Sequence, residues 1–347
     1  MFHPILNFAK RLITWHQQHG RKNLPWQKNK TPYRVWLSEI MLQQTQVTTV
    51  IPYFEKFIQK FPTVHALAQA TLDEVLVLWS GLGYYSRAKN LHKTAQIIEK
   101  EFHGVFPNDL ETLQTLPGIG RSTAGAILSF AFAKPAPILD GNVKRIFIRL
   151  HGMNVSVDDI KAQKNLWEIA EHYLSKEDIA DYTQGLMDLG ATLCTRTKPP
   201  CSSCPFQKDC IAYQTHQTEN LPVKLKKKKL PIKKIYFLVL KDQHEKILLI
   251  KRPPVGIWSH LWSLPEAKNL NQLNSVLSDY SLELISKKML SPFRHTFSHF
   301  HLDITPLLIQ VKNHSMIMES DHAVWIQKNQ LDKFGLPKPV KILLEKH

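Results

Sequence analysis

The sequence predicts a chain of two domains, the first all-α and the second α+β. A length of 347 residues allows two domains of ordinary size, each with its own core. The spacing of apolar residues is helical as far as Tyr213 and shifts toward a period of two after residue 234. Between these regions, residues 221–234 carry seven lysines, which is typical of a solvated linker. We therefore predict a helical domain over 1–215, a basic linker over 216–232 and a second domain over 233–347.

The charge of the chain indicates a polyanionic partner. Lys and Arg number 45 against 29 Asp and Glu, a net charge of +16. This excess favours nucleic acid. A membrane partner is not expected, because no apolar run approaches the ~18 residues of a membrane-spanning helix and the basic residues do not gather on one amphipathic helix. The N-terminus has no signal-peptide pattern, so we expect a cytoplasmic, nucleoid-associated protein.

The first helices begin at recognisable signals. Apolar residues recur at helical spacing from Ile5 to Trp15, which predicts a helix that ends near Gly20. Thr31 is a candidate N-cap, and Pro32 suits the first position of the next helix. These elements are expected to be structural.

Glu39 is a candidate proton donor on this second helix. It shares a stripe with the apolar side chains of Val35 and Trp36, and Gln43 follows one turn later. A carboxyl group on such a stripe is partly desolvated, and desolvation raises its pKa toward neutrality. The alternative is a surface glutamate at the edge of an amphipathic helix.

A glycine-punctuated turn lies at residues 79–90. Tyr84 and Tyr85 are followed by Arg87 and Lys89, so aromatic rings stand beside cations. This pattern suits insertion between stacked bases while phosphate is held nearby. Two tyrosines packed in a core would give the same pattern.

Residues 116–125 predict a helix-hairpin-helix, which we place near 113–133. Pro117, Gly118 and Gly120 break one helix and allow a tight turn, after which 122–132 starts another. The glycines leave backbone N–H groups uncovered at a helix N-terminus, where a phosphate can bind. An ordinary interhelical turn is the alternative.

Asp140 is a candidate catalytic carboxylate. Pro135 and Pro137 end the preceding helix, and Asp140 stands in front of a new helix expected over 142–150. A helix N-terminus favours the charged form of an aspartate. Asp140 could be a cap and nothing more, but its occurrence after a helix-hairpin-helix favours the catalytic role.

The four cysteines of the chain lie within seventeen residues, spaced C-x6-C-x2-C-x5-C, at Cys194, Cys201, Cys204 and Cys210. Structural zinc sites more often show two separate C-x2-C pairs, so an iron–sulfur cluster is favoured and zinc is the alternative. A disulfide pair does not suit a cytoplasmic protein. Lys198 and Lys208 add positive charge to this loop at 194–210.

The second domain is predicted from alternating patterns. Residues 235–240, a turn at 242–245 and residues 246–250 indicate a β-hairpin, and Phe300, Leu302 and Ile304 alternate with polar residues.

With these motifs in order, the chain resembles the endonuclease III superfamily of DNA glycosylases and, more narrowly, the MutY family of adenine DNA glycosylases. The matching segments span nearly the whole chain: 38–47, 81–88, 116–125, 139–145, 187–191, the cysteine loop and 293–299. The family's glycine-rich turn carries Ser259 and His260 here. The resemblance implies one 4Fe-4S cluster, a Nudix-like second domain and duplex DNA with adenine opposite 8-oxoguanine or guanine as substrate. We expect a monomer.

The resemblance also implies residue roles. Glu39 would protonate the flipped adenine, Asp140 would stabilise the oxocarbenium sugar or attack it transiently, and Asn142 would help place Asp140 and water. The residues implied to contact DNA or a base are Gln43, Tyr84, Arg87, Gly118, Gly120, Ser122, Gln184, Phe297, Ser298 and His299.

Three alternatives share parts of this pattern. A bifunctional glycosylase and lyase would share the hairpin, the aspartate and the cysteines, but the endonuclease III branch carries a lysine where this chain has Ser122, and a hydroxyl cannot form an imine. A monofunctional glycosylase is therefore predicted. A non-catalytic iron–sulfur DNA-binding protein is the second alternative. A nucleotide hydrolase in the second domain would need clustered glutamates for Mg²⁺, and after Gly256 the acidic residues are widely spaced.

Overall fold

The computed structural model describes residues 4–225, 229–313 and 322–347, without the side chain of Asn313. The chain divides into two compact units. The first contains residues 1–69 and 90–226, and the second contains residues 70–89 and 227–347. The predicted domain boundaries at 215 and 233 stay a prediction, and the second unit includes the segment 70–89, which sequence analysis had assigned to the helical domain. In the described part of the chain no helix has the length and apolar character of a membrane span.

The first unit is helical. Its elements are α1 (Phe8–His19), α2 (Pro32–Leu42), α3 (Val47–Lys60), α4 (Val64–Gln69), α6 (Ser86–Phe102, of which 90–102 lie in this unit), α7 (Leu110–Thr115), α8 (Arg121–Phe132), α9 (Gly141–Leu150), α10 (Ile160–His172), α11 (Ile179–Asp188) and α12 (Ile211–Gln214). Helix α5 (Leu72–Trp79) belongs to the second unit. A shared core joins α1, α8, α9, α10 and α11, with Leu12 and Phe147 fully buried. The predicted start of α2 is confirmed, because Thr31 Oγ1 accepts the Arg34 N–H at 3.3 Å and Pro32 is the first helical residue.

Two local details differ from expectation. Helix α2 ends at Leu42, so Gln43 is its C-cap rather than a further residue of the helical stripe. The basic linker is partly packed, since Leu221 is 7% exposed and Val223 N donates to Val155 O at 2.9 Å. Apolar side chains explain this packing, because their burial against the helical core is favourable. The lysines at 226–228 lie outside the described residues.

The second unit is α+β, as predicted. Its strands are β1 (Ile232–Lys241), β2 (Ile247–Lys251), β3 (Trp262–Ser263), β4 (Glu266–Ala267), β5 (Leu282–Met289), β6 (Phe293–Thr296), β7 (His301–Asn313) and β8 (Ala323–Ile326), with helices α13 (Leu273–Asp279) and α14 (Lys338–Lys346). The described strands form one mixed sheet in which β3-β2-β1-β7-β5 are neighbours. The predicted hairpin is confirmed by the antiparallel β1 and β2, whereas β1 and β7 are parallel. Leu302 and Ile304 of β7 are buried, as their alternation predicted.

Candidate active site

Glu39 lines a cavity in the first unit, bounded by the loop before α2, by α2 itself, by the start of α3, by α8 and by α11. The cavity measures about 40 Å³. Its walls are formed by Arg21, Leu24, Trp26, Gln27, Lys30, Val35, Ser38, Glu39, Leu42, Val47, Phe130, Gln184 and Met187. Burial among these residues and, to a smaller extent, the negative charge of Asp140 together raise the pKa of Glu39 to about 8. Glu39 is therefore mostly protonated at neutral pH.

Asp140 is the N-cap of α9, as predicted. Its Oδ1 accepts the backbone N–H groups of Asn142 at 2.9 Å and Val143 at 2.8 Å. Burial raises the pKa of the Asp140 carboxyl, while these two N–H groups and the positive charge of Arg145 oppose the rise. The two carboxyl groups of the site thus differ in their surroundings. The pKa of Glu39 is raised both by burial and by a like charge, whereas the rise in the pKa of Asp140 is opposed by its hydrogen-bond donors.

Asn142 is held beside Asp140 by α9 and by the segment after α11. Its Oδ1 accepts from Arg145 Nη2 at 2.8 Å, and its side chain hydrogen-bonds to Asp140. Gly190 allows this approach, because a Cβ on Gly190 would lie 2.6 Å from the Asn142 Cβ. A larger residue than glycine at 190 would displace Asn142.

The helix-hairpin-helix is formed by α7, the turn at 116–120 and α8, as predicted. Gly118 has a φ of +82°, and a Cβ there would lie 3.0 Å from the Asn90 Cβ, so the turn requires glycine. Gly120 is the N-cap of α8 and has no side chain to accept the first N–H groups of the helix. Both glycines are exposed, and Gln43 Nε2 lies within weak hydrogen-bonding distance, 3.5 Å, of Gly118 O.

Ser122 lies next to Asp140. Its Oγ accepts the Leu139 N–H at 3.0 Å, so this hydroxyl connects the first turn of α8 to the residue that precedes the catalytic candidate. The nearby basic residues have other partners: Arg121 pairs with Glu171 and lies 4.0 Å over the Trp167 ring, and Lys144 Nζ donates to Val157 O at 3.3 Å.

The four cysteines line one small cavity of about 30 Å³ and are not paired in disulfides. Burial raises the pKa of Cys210 to about 11, so a metal would have to displace its proton. Among the residues described, no group of three or more Cys, His, Asp or Glu side chains is arranged to hold a metal ion. Four thiols around one cavity are nevertheless a donor set that suits an iron–sulfur cluster.

Helix α9 connects the cysteine loop to the carboxylate site. Arg145 Nε donates to Cys194 O at 2.8 Å, and its Nη2 donates to both Asn142 Oδ1 and Gly190 O. Arg149, one turn later and 2% exposed, donates to Thr195 O at 2.7 Å and lies 3.4 Å from Cys194 Sγ. Arg145 thus joins the cysteine loop to Asn142, and Arg149 joins the same loop to the next turn of α9.

Gln184 and Asp188 form the α11 side of the site. Gln184 is 8% exposed, and its Nε2 donates to Asp188 Oδ1 at 2.9 Å. Asp188 is fully buried and also accepts the Arg21 backbone N–H at 2.7 Å and Arg21 Nε at 2.8 Å. Sequence analysis missed Arg21 and Asp188, although an acidic residue one helical turn after Gln184 is a detectable signal.

Tyr84 and Arg87 lie in the second unit. Tyr84 is 47% exposed and adopts a φ of +49° in the turn between α5 and α6. Arg87 is buried, with its guanidinium over the Trp79 and Tyr84 rings and its Nη2 donating to Gly83 O at 3.2 Å. Arg87 thus holds the turn that presents Tyr84, and a direct DNA contact by Arg87 stays a prediction.

Phe297, Ser298 and His299 form the loop between β6 and β7 in the second unit. Ser298 and His299 are exposed, and the Phe297 ring stacks on the buried Phe300 at 4.5 Å. Trp258 packs against Phe297 at 5.2 Å. The loop therefore presents two polar side chains on a rigid aromatic base.

Comparisons with known proteins agree with both units. Residues 37–172 match the HhH-GPD superfamily of base excision DNA repair proteins, and residues 235–346 match a NUDIX domain. Two solved structures share the first fold: a thermostable thymine-DNA glycosylase (28% identity, TM-score 0.55, 60% of this chain and 95% of that chain) and endonuclease III in a non-covalent DNA complex (23%, TM-score 0.51, 60% and 94%). The fold and the site thus define a helix-hairpin-helix base excision repair protein.

The particular family follows from a relative that matches along its whole length. The adenine DNA glycosylase of Buchnera aphidicola subsp. Acyrthosiphon pisum (strain APS) is 44% identical over 339 residues, which cover 97% of each chain. This chain belongs to the adenine DNA glycosylase family. The predicted family and fold class are confirmed.

Proposed function

We propose that this protein removes adenine from duplex DNA in base excision repair by hydrolysing its N-glycosidic bond. The observation that carries the proposal is the pair of unlike carboxyl groups in one site: Glu39, whose pKa burial raises to about 8, and Asp140, held by two backbone N–H groups. When two titratable groups lie in different surroundings, their pKa values differ, and this difference usually assigns the acid role to one group and the base role to the other. The chain's family and its net charge of +16 support DNA as the substrate.

In the proposed mechanism the adenine leaves the base stack and enters the cavity beside Glu39. Removing a base from the stack costs a few kcal/mol and costs least at a mispair. Adenine leaves poorly as an anion, so a proton delivered by Glu39 to a ring nitrogen lets it leave neutral. A glutamate with an ordinary pKa would be ionised at neutral pH and unable to donate.

Asp140 acts on the sugar as the glycosidic bond breaks. Its carboxylate stabilises the developing oxocarbenium charge or attacks the sugar carbon transiently, as the second carboxylate does in retaining glycosidases. Asn142, which hydrogen-bonds Asp140 and accepts from Arg145, keeps the carboxylate in place and orients water. Water attack then leaves an abasic site.

We further propose that the reaction stops at the abasic site. Strand cleavage by a lyase requires an amine that forms an imine with the sugar. Ser122 offers a hydroxyl beside Asp140, and Arg121 and Lys144 have partners elsewhere. Lys30 lines the Glu39 cavity, and its Nζ lies 5.7 Å from the centre of the Phe130 ring. An arginine also stays protonated at any physiological pH.

Cys194, Cys201, Cys204 and Cys210 are proposed to hold one 4Fe-4S cluster. The support is the cavity that all four line, together with the family. The cluster would hold the loop together through its four cysteine ligands. The exposed Lys198 and Lys208 of this loop add positive charge that would attract a phosphate backbone. Arg145 and Arg149 attach that loop to α9 by hydrogen bonds to Cys194 O and Thr195 O.

DNA contacts are proposed at three places. The uncapped first turn of α8 would bind a phosphate through its N–H groups, with Gly118, Gly120 and Ser122 in the turn. Gln43 and the exposed ring of Tyr84 would insert near the lesion, with Arg87 holding the Tyr84 turn. In the second unit, Phe297, Ser298 and His299 would recognise the base opposite adenine, which we propose to be 8-oxoguanine or guanine.

The test uses end-labelled duplexes that carry adenine opposite 8-oxoguanine, guanine or thymine, with and without alkali. We expect fast adenine release opposite 8-oxoguanine and guanine, slow release opposite thymine, and strand breaks after alkali alone. Absence of adenine release would refute the function. Efficient cleavage without alkali would instead favour a bifunctional glycosylase and lyase.

A further inference from the structure

A buried aspartate holds one end of the Gln184 amide. Asp188 Oδ1 accepts from Gln184 Nε2 at 2.9 Å, and the same carboxylate accepts hydrogen bonds from the backbone N and the Nε of Arg21, whose Nη2 also lies 2.6 Å from Oδ1 in an ion pair. Asp188 is fully buried, so these bonds are shielded from water. Oδ1 thus faces the Gln184 amide and the Arg21 guanidinium, while Oδ2 accepts the Arg21 backbone N–H and lies 3.7 Å from His16 Nε2.

The orientation of the Gln184 amide follows from this arrangement. An ionised carboxylate can accept hydrogen bonds and cannot donate them, so it selects the NH₂ end of the amide. Gln184 lines the Glu39 cavity, and its Oε1 accepts no hydrogen bond from the residues that the structure describes. Oε1 is also not one of the buried atoms left without a partner, so it has access to the cavity or to solvent. Gln184 therefore offers an acceptor to whatever enters.

We propose that Asp188 is a positioning residue that makes the site selective for adenine, by fixing the Gln184 amide with its carbonyl oxygen available to the bound base. Adenine carries an amino donor at position 6, whereas hypoxanthine and guanine carry a carbonyl acceptor there. A fixed acceptor on Gln184 pairs with the amino group and faces an acceptor in the other two bases. The inference rests on the proposed adenine release and adds a reason for its selectivity.

A freely rotating glutamine could not discriminate in this way. Turning the amide by 180° exchanges its donor and acceptor, so an unrestrained Gln184 would pair with either base. Buried polar groups reject a ligand strongly when the wrong ligand leaves them unpaired. The selectivity therefore depends on the residue that prevents the rotation, even though Asp188 itself need not touch the base.

The experiment measures single-turnover release of adenine and of hypoxanthine opposite guanine in duplex DNA. Asp188→Asn replaces an acceptor-only group by one that can also donate to Gln184 Oε1, so the amide can turn. We expect the ratio of the adenine rate to the hypoxanthine rate to fall by about tenfold or more. Differences in the intrinsic lability of the two bases cancel when the ratios of two variants are compared.

Asp181→Asn is the matched control. The Asp181 carboxylate lies on the same helix and contacts His16 and Gln17, and in the described part of the chain it forms no hydrogen bond with Gln184, so this variant should keep the wild-type ratio. Gln184→Leu should by itself lower the ratio, and adding Asp188→Asn to it should change the ratio no further. If Asp188→Asn loses its cooperative unfolding transition, Gln184→Leu still tests the inference, because an unchanged ratio in that variant would overturn it.

Three results would overturn the inference while leaving adenine release intact: equal wild-type rates on both bases, an unchanged ratio in folded Asp188→Asn, or an unchanged ratio in Gln184→Leu. A fourth is an Asp188→Asn effect that persists in the Gln184→Leu background, which would assign the effect to Arg21. Failure of the wild-type protein to release adenine at all would instead refute the proposed function.

Discussion

Glu39→Gln is expected to separate DNA binding from base release. The substitution keeps the size of the side chain and removes the transferable proton. General acid catalysis typically contributes 10²–10⁴-fold, so we expect a rate loss of about this size at neutral pH with little change in affinity for a mispaired duplex. Glu55→Gln is a suitable control, because Glu55 is exposed on α3 and does not line the Glu39 cavity.

The raised pKa of Glu39 determines what fraction of this carboxyl group is protonated, and so able to donate, at neutral pH. At pH 7 a carboxyl with a pKa of about 8 is roughly 90% protonated, whereas one with an ordinary pKa of 4.5 is about 0.3% protonated. Burial therefore increases the fraction of competent acid by about 300-fold. Because the protonated form of Glu39 is active, the single-turnover rate should fall as pH rises through about 8.

The same pKa predicts a cost in stability. Since the pKa of Glu39 is higher in the folded than in the unfolded state, the folded protein binds the extra proton between about 4.5 and 8. The free energy of unfolding therefore falls by on the order of 5 kcal/mol as pH rises from about 4.5 to about 8, where the loss is complete. Glu39→Gln does not titrate, so it should become more stable than the wild type above pH 8 in thermal unfolding.

Two outcomes would refute this reasoning. One is a Glu39→Gln rate close to that of the wild type near neutral pH. The other is a wild-type rate under saturating enzyme that rises or stays constant between pH 7 and 9, because that would mean that the active form of the site is not the protonated Glu39.

Three other substitutions test separate parts of the site. Asp140→Asn removes charge and little volume, so it should nearly abolish adenine release while mispair binding persists; substantial single-turnover activity would contradict the assignment. Ser122→Lys should increase covalent trapping by borohydride if the new amine reaches the sugar beside Asp140, with the wild type giving little trapped complex. Cys201→Ala should lower bound iron and sulfide from about four each per chain and weaken DNA binding, whereas stoichiometric zinc without sulfide in the wild type would overturn the cluster.

The sequence by itself determined the parts of the site that depend on neighbouring residues. Thr31 caps α2, and Asp140 accepts N–H groups two and three residues later, so residue types and spacing are sufficient to predict both. The turn at Gly118 is equally local, because a positive φ is a property of one residue. The β1–β2 hairpin follows from alternation and a short turn.

Tertiary structure alone decided the properties that depend on distant elements. The pKa of Glu39 is set by walls from α2, α11 and the loop that contains Arg21, and by the charge of Asp140 one hundred residues away in sequence. The bonds between Arg21 and Asp188 join residues separated by 167 positions. The burial of Arg87 and the packing of Leu221 were likewise not visible in residue patterns. The desolvation of a buried group and the hydrogen bonds that it forms depend on all the atoms around it. Both are therefore established only when elements far apart in sequence are packed together.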